Sequence, residues 1–278
     1  MNYRHAYHAG NFADVVKHVA LTLVLQHLRK KTTPFCVVDT HAGVGRYDLA
    51  GIEAGKTGEY QDGVARLLGR PGLPAALDDY LAAVRAVNPD WPQLRFYPGS
   101  PRIARFLLRP DDRLAAVELH PEDVRALRRE FHGDPQVGVH DGDAYTALKA
   151  LLPPHERRGL VLIDPPFEVT DEFQRIARGL AQGLKRWPTG IYGVWYPIKS
   201  PEPIKRFLGE IATFGRPCFT AELFRQPPDD PLVLNGCGLL LLNPPWHLDE
   251  ELKALLPVLA DCLGATGPSG VRWLVEPS

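Results

Sequence analysis

The densest chemistry in the sequence is the run Ile163-Asp164-Pro165-Pro166-Phe167, which closes an apolar stretch of strand length. An exocyclic amine on adenine is a poor nucleophile, because its lone pair is delocalised into the ring. Two hydrogen-bond acceptors draw it toward tetrahedral geometry: the Asp164 carboxylate for one N–H and the Pro165 carbonyl for the other. The paired prolines restrict the backbone that carries this carbonyl, and Phe167 supplies a stacking face for the base. Held in this way, the lone pair points at an incoming methyl group, and the gain in rate comes mainly from orientation. A base inside a duplex must first be unpaired or flipped out to reach such a turn. A near copy, Asn243-Pro244-Pro245-Trp246, stands later in the chain. It follows what reads as the last strand, away from any cofactor crevice, so it is expected to be a structural turn with Trp246 packed against the sheet.

Three further acids fall at the ends of apolar runs. Asp39 leads into Thr40-His41-Ala42-Gly43-Val44-Gly45, where Gly43 and Gly45 allow the backbone to approach a ligand without an intervening Cβ. Asp48 occupies the third position of the dinucleotide fingerprint, so a nicotinamide dehydrogenase is disfavoured. Glu118 ends the second run, placed to accept ribose hydroxyls, and Asp141-Gly142-Asp143 ends the third, within reach of an adenine amine. Each acid alone reads equally well as a helix cap, Asp143 before Ala144 above all. Acids at consecutive strand ends favour a nucleoside-bearing cofactor.

The elements that must position these residues are legible as near-continuous apolar runs: Phe35–Asp39, Leu114–Glu118, Val137–His140, Leu160–Asp164, Ile191–Trp195 and Gly238–Leu242, with a weaker run at Cys218–Phe224. Runs of this kind suit strands buried on both faces. Helical spacing fills the intervals, and a helix from about Ala13 to Leu28 precedes the first strand. The alternation predicts a doubly wound α/β sheet of about seven mostly parallel strands, with ligands at the carboxyl ends of the strands near the switch point. Residues 51–96 exceed what one crossover needs and read as an inserted helical subdomain within a single domain spanning 1–278.

Composition sets the class: 45% hydrophobic and 23% charged residues describe an ordinary globular chain. No apolar run approaches the roughly 20 residues of a membrane helix. The run Val19–Leu25 lacks the flanks of a signal peptide, so a cytoplasmic protein is expected. Four scattered cysteines suggest neither a disulfide framework nor a metal site. A net charge of −1 gives no general pull toward nucleic acid, but residues 1–31 carry Arg4, Lys17, Arg29, Lys30 and Lys31 against Asp14 alone.

Acid-Gly-x-Gly, a second acid, a third acid and Asp-Pro-Pro-Phe, in that order, resemble adenine-N6 methyltransferases that use S-adenosyl-L-methionine. The opening Tyr3-Arg4-His5-Ala6-Tyr7-His8-Ala9-Gly10-Asn11-Phe12-Ala13-Asp14-Val15-Val16-Lys17-His18 extends the likeness, as do Thr57-Gly58-Glu59-Tyr60, Tyr97-Pro98-Gly99-Ser100-Pro101 and Trp195-Tyr196-Pro197. Over essentially its whole length the chain is similar to the bacterial 23S rRNA adenine-N6 methyltransferase J family. The resemblance implies a Rossmann-like class I methyltransferase fold with a helical insertion, and methylation of an adenine N6 in 23S rRNA. It implies Asp164 as catalytic acid, and cofactor contacts at His18, His41, Ser100, Glu118, Asp143 and Ala144. Tyr3 falls at the position associated with the RNA substrate, with Arg4 and Lys17 expected beside it. Phe167 stands where the family commonly has Tyr, which removes a hydroxyl but keeps the stacking face, and Ala144 where it can have Gly. The expected partner is free or early-assembly 23S rRNA, met by a monomer without metal. His5 and His8 have no assigned role at this point. Two rivals stay open: a DNA adenine-N6 methyltransferase, and a non-catalytic nucleic-acid-binding protein linked to use of external DNA.

Overall fold

The computed structural model describes residues 4–227, 230 and 233–277. Asn11 starts the first helix, α1 (Phe12–Arg29), by accepting the Asp14 N–H at 2.9 Å on its side chain. Every residue from Phe12 to Leu25 is buried, as suits a helix whose sequence is apolar almost all round. After β1 (Cys36–Asp39), two short strands, β2 (Arg46–Asp48) and β3 (Phe96–Pro98), pair antiparallel with Tyr47 opposite Tyr97. Between them lie α2 (Ile52–Thr57), α3 (Val64–Leu68) and α4 (Asp78–Ala86). The next helix, α5 (Ser100–Leu107), has Pro101 in its first turn, where a missing N–H costs nothing.

Strand and helix then alternate: β4 (Arg113–Glu118), α6 (Pro121–Glu130), β5 (Val137–Asp141), α7 (Ala144–Leu151), β6 (Gly159–Ile163), α8 (Glu172–Arg186), β7 (Ile191–Ile198) and α9 (Pro201–Ala212). The chain closes with β8 (Cys218–Phe224), β9 (Gly236–Leu242), α10 (Leu248–Leu263) and β10 (Ser269–Val275). The sheet order is β10-β8-β9-β7-β6-β1-β4-β5, parallel from β7 to β5 and antiparallel from β7 outward to β10. From β1 the chain winds to β4 and β5, then returns to β6 on the other side. The crevice at the carboxyl ends of β1 and β6 is therefore the switch point of a Rossmann-like α/β sheet.

Side chains of β6 alternate between two cores: Leu160 and Leu162 face the layer built with α1, α5 and α10, whereas Val161 and Ile163 face the layer built with α8 and α9. All seven strands expected from the sequence are present, and β10 is an eighth. Ser269–Val275 escapes a search for buried apolar runs because it is an edge strand of half-buried residues interrupted by exposed Arg272.

A second correction concerns Trp246, expected against the sheet and found 74% exposed. Because β9 is antiparallel to β7, its carboxyl end emerges at the edge of the sheet opposite the crevice. Asn243 does hold a structural turn there, donating from Nδ2 to the carbonyls of Pro188 at 3.0 Å and Gly190 at 2.8 Å. Among the described residues, no helix is long and apolar enough to cross a membrane.

Candidate active site

A cavity of about 630 Å³ opens at the switch point, within the roughly 300–1,000 Å³ typical of small-molecule sites. The loop after β1 is pinned across it: Thr40 N–H donates to the Leu162 carbonyl at 3.0 Å and Ala42 N–H to that of Val117 at 2.9 Å. Gly43 has φ +60, and a Cβ there would lie 2.2 Å from the Tyr47 hydroxyl, so no other residue fits unshifted. Its N–H donates to Glu118 Oε2 at 2.8 Å, while Leu119 and His120 N–H donate to Oε1, each at 2.8 Å. Three of the roughly four acceptor sites of this carboxylate are thus taken. Room remains for a further donor such as a hydroxyl. Burial raises the Glu118 pKa.

Both histidines singled out from the sequence are neutral. Burial pushes His41 down to about 4 and holds His18 well below the ordinary imidazole value. The Asp164 backbone N–H donates to His41 Nδ1 at 3.3 Å, and Thr40 Oγ1 lies 2.9 Å from the same nitrogen. His18 Nδ1 bonds the Tyr97 hydroxyl at 2.7 Å, whereas its buried Nε2 has no hydrogen-bond partner among the described residues. Ser100 is buried at the start of α5. Asp143 caps α7 by accepting the Thr146 N–H at 2.9 Å, and Arg175 lies 3.4 Å from its other oxygen. Below the cavity Asp39 is buried with Oδ2 unpartnered, and burial lifts its pKa to about 7.

The Asp-Pro-Pro-Phe turn leaves the end of β6 on the opposite wall. Asp164 Oδ2 accepts from Lys17 Nζ at 2.5 Å, and the same ammonium bonds Asp14 Oδ1 at 2.8 Å. Burial penalises both charges of the inner pair. Asp14 nevertheless sits well below the ordinary carboxylate range, held by His5 and Lys17, and Lys17 well above the ordinary amine range, held by Asp14 and Asp164. Asp164 therefore faces a permanent cation. Phe167 adopts φ +51, a region that bulky side chains avoid. Its ring stands edge-on to Phe173 at 5.1 Å and to Trp195 at 5.9 Å. Pro165 is buried, and among the described residues no N–H or O–H donates to its carbonyl.

The structure brings Lys17, His18, His41, Gly43, Ser100, Glu118, Asp143, Ala144, Asp164, Pro165 and Phe167 onto this one cavity wall. Gly45 is not on it: at φ +83 it packs against Leu127, Glu130 and Phe131, and its carbonyl accepts the Gly99 N–H at 2.8 Å. Arg4 is exposed and engaged by Glu122 of α6. Tyr3 lies outside the described residues. Lys17, expected to meet RNA, is only 4% exposed and acts on Asp164 instead. A lysine reads as surface by default, but Asp14 and Lys17, three apart in an otherwise apolar helix, are the signal of a buried pair. His5 extends that network, with Nε2 2.9 Å from Asp14 Oδ2. Trp195, expected from the sequence as a strand residue and as part of a motif but given no role in the site, forms part of the aromatic wall beside Phe167.

Comparison with known proteins points the same way. A family model described as ribosomal RNA large subunit methyltransferase D, RlmJ, matches residues 32–275. The ribosomal RNA large subunit methyltransferase J of Escherichia coli strain K12 is 44% identical over 278 residues, covering 99% of both chains. The protein of that name from Haemophilus influenzae is 42% identical over 277 residues, again covering 99% of both. A crystal structure of a Legionella pneumophila protein matches with a TM-score of 0.87 at 35% identity, covering 96% of this chain and 97% of that one. With a family match over most of its length and full-length relatives above two-fifths identity, the chain belongs to the RlmJ family of ribosomal RNA large subunit methyltransferases.

Proposed function

We propose that the protein methylates the exocyclic N6 of an adenine in 23S rRNA with S-adenosyl-L-methionine as donor, and that residues 1–278 act as one methyltransferase domain in which 51–96 form a helical insertion. The observation that carries the reading is the Asp164 carboxylate, gripped by Lys17, with Pro165 and Phe167 of the same turn lining the cavity that Glu118 also lines. Family membership supports the RNA, and the chemistry of the turn supports the amine.

The cavity fits the donor. An acidic residue with spare acceptor capacity, Glu118, suits ribose, and the orphaned His18 Nε2 suits a polar group of a methionine moiety. His18, His41, Ser100, Glu118, Asp143 and Ala144 would hold it, with the Gly43 backbone in close approach. When bound, the donor supplies an electrophilic methyl group on a sulfonium. The chain does the rest. Phe167 stacks the base; Asp164 and the Pro165 carbonyl accept the two N–H bonds of the amine and set its lone pair toward the methyl group. As the N–C bond forms and the methyl–sulfur bond breaks, its electron pair staying on a now neutral thioether sulfur, the nitrogen becomes cationic and one of its protons passes to Asp164. Lys17 keeps that carboxylate fixed until then. A base must leave its stack to enter, so free or early-assembly rRNA is the proposed form of the substrate.

Labelled methyl transfer tests the reading. Protein incubated with labelled donor and either 23S rRNA or a DNA strand of matching sequence is predicted to yield N6-methyladenosine from the RNA on nucleoside digestion. Greater incorporation into the DNA, or none into either, contradicts it.

A further inference from the structure

The cavity wall is a poor landing place for a polyanion, since eight acidic residues line it against four lysines and arginines. Three of these cations are engaged: Lys17 by Asp14 and Asp164, Arg175 by Asp143 and Glu172, and Arg225 by Asp62 at 3.5 Å. Among the described residues, Lys199 is the one cation of this wall without a carboxylate partner, and it is exposed. Its place in the chain is specific. Trp195 and Pro197 of β7, and Lys199 just beyond the strand, alternate along extended backbone, and all three line the cavity. The row runs from the aromatic wall beside Phe167 to the rim, a span of about 13 Å for four extended residues.

The backbone under Lys199 is also fixed. Asn235, fully buried, donates from Nδ2 to the Lys199 carbonyl at 3.1 Å and from its N–H to the Ile198 carbonyl at 2.9 Å. Its Oδ1 accepts from Gln226 Nε2 at 3.0 Å, one residue past Arg225. A single buried amide thus ties together the two strand ends that carry the rim cations.

We infer that Lys199 binds a backbone phosphate of the rRNA next to the extruded adenosine. The inference rests on the reading of the Asp164–Phe167 turn as the slot for the base. An ammonium serves here as a point charge for phosphate, offsetting the acidic wall without reading sequence.

The test uses full-length protein and an rRNA fragment bearing the target, with binding followed across a salt series. Lys199→Ala is predicted to raise Kd about tenfold at low salt and to lower the slope of log affinity against log salt by about 0.7–1. It should raise KM for RNA while kcat and affinity for the methyl donor alone stay within about twofold of wild type, and Lys199→Arg should restore the slope. A Lys199→Ala protein with wild-type Kd and slope overturns the inference. So does a loss of donor affinity in that variant, or a failure of Lys199→Arg to restore RNA binding. Binding is measured without turnover, so a wild-type protein that binds the fragment but methylates no adenine contradicts the proposed function and leaves the Lys199 result to be judged on its own.

Discussion

Asp164-Pro165-Pro166-Phe167 and Asn243-Pro244-Pro245-Trp246 share one grammar and meet opposite fates. Each follows a buried strand with a side chain able to accept from an amine, two prolines and an aromatic. The first leaves a parallel strand beside the switch point, with its aspartate gripped by a buried ammonium and its aromatic turned into the cavity. The second leaves an antiparallel strand at the far edge, where the asparagine amide is used up on two carbonyls and the indole stands in solvent. Strand direction, which a tetrapeptide does not encode, separates a candidate catalytic turn from a structural one.

The largest effect that could break this contrast is at the acceptor. Asp164→Ala is predicted to reduce methyl transfer by about 10²- to 10⁴-fold, with donor binding retained in a calorimetric titration. Asn243→Ala should leave the rate unchanged, and equal losses from the two substitutions would erase the distinction. Next come the aromatics. Stacking worth about 1–3 kcal/mol per base translates into a roughly 5- to 150-fold fall in kcat/KM for Phe167→Ala, against no change for Trp246→Ala.

The smallest expected effect is in stability against pH. An unfolded imidazole takes up its proton below about 6.5, whereas folded His41 does so only near 4. Its folded pKa is depressed, so between those values the unfolded chain binds more protons and stability is lost as pH falls from about 6.5 toward 4, by no more than about 3 kcal/mol. Urea midpoints at pH 7 and pH 5 should differ less for His41→Asn than for wild type, while Trp246→Ala keeps the wild-type difference. Identical pH dependence in all three proteins argues against a buried neutral His41.

How much of this was legible in the sequence follows from the same contrast. Doubly buried parallel strands announce themselves as apolar runs, and their polar ends mark the crevice, so Asp39, Glu118 and Asp164 could be located by position alone. Half-buried β10 could not, because an edge strand has no continuous apolar signature. The start signal of α5, Pro101, is present in the sequence, but the helix it opens is only 8 residues long and too short to announce itself by periodicity. Lys17 and Trp246 both run against residue averages, by which a lysine reads as surface and a tryptophan as core. Pairing partners and strand direction overrode both. His18 and His41 carried no local signal of a role; only a likeness over many separated motifs singled them out. The deciding features are their neutrality and the orphaned His18 Nε2, which arise from burial in three dimensions.

The central claim is a distance. In a complex of the protein with a donor analogue and an RNA bearing an extruded adenosine, the amine nitrogen should lie about 3 Å from both an Asp164 carboxylate oxygen and the Pro165 carbonyl, with the base against Phe167. A base seated elsewhere, or an amine out of reach of residue 164, would contradict the account.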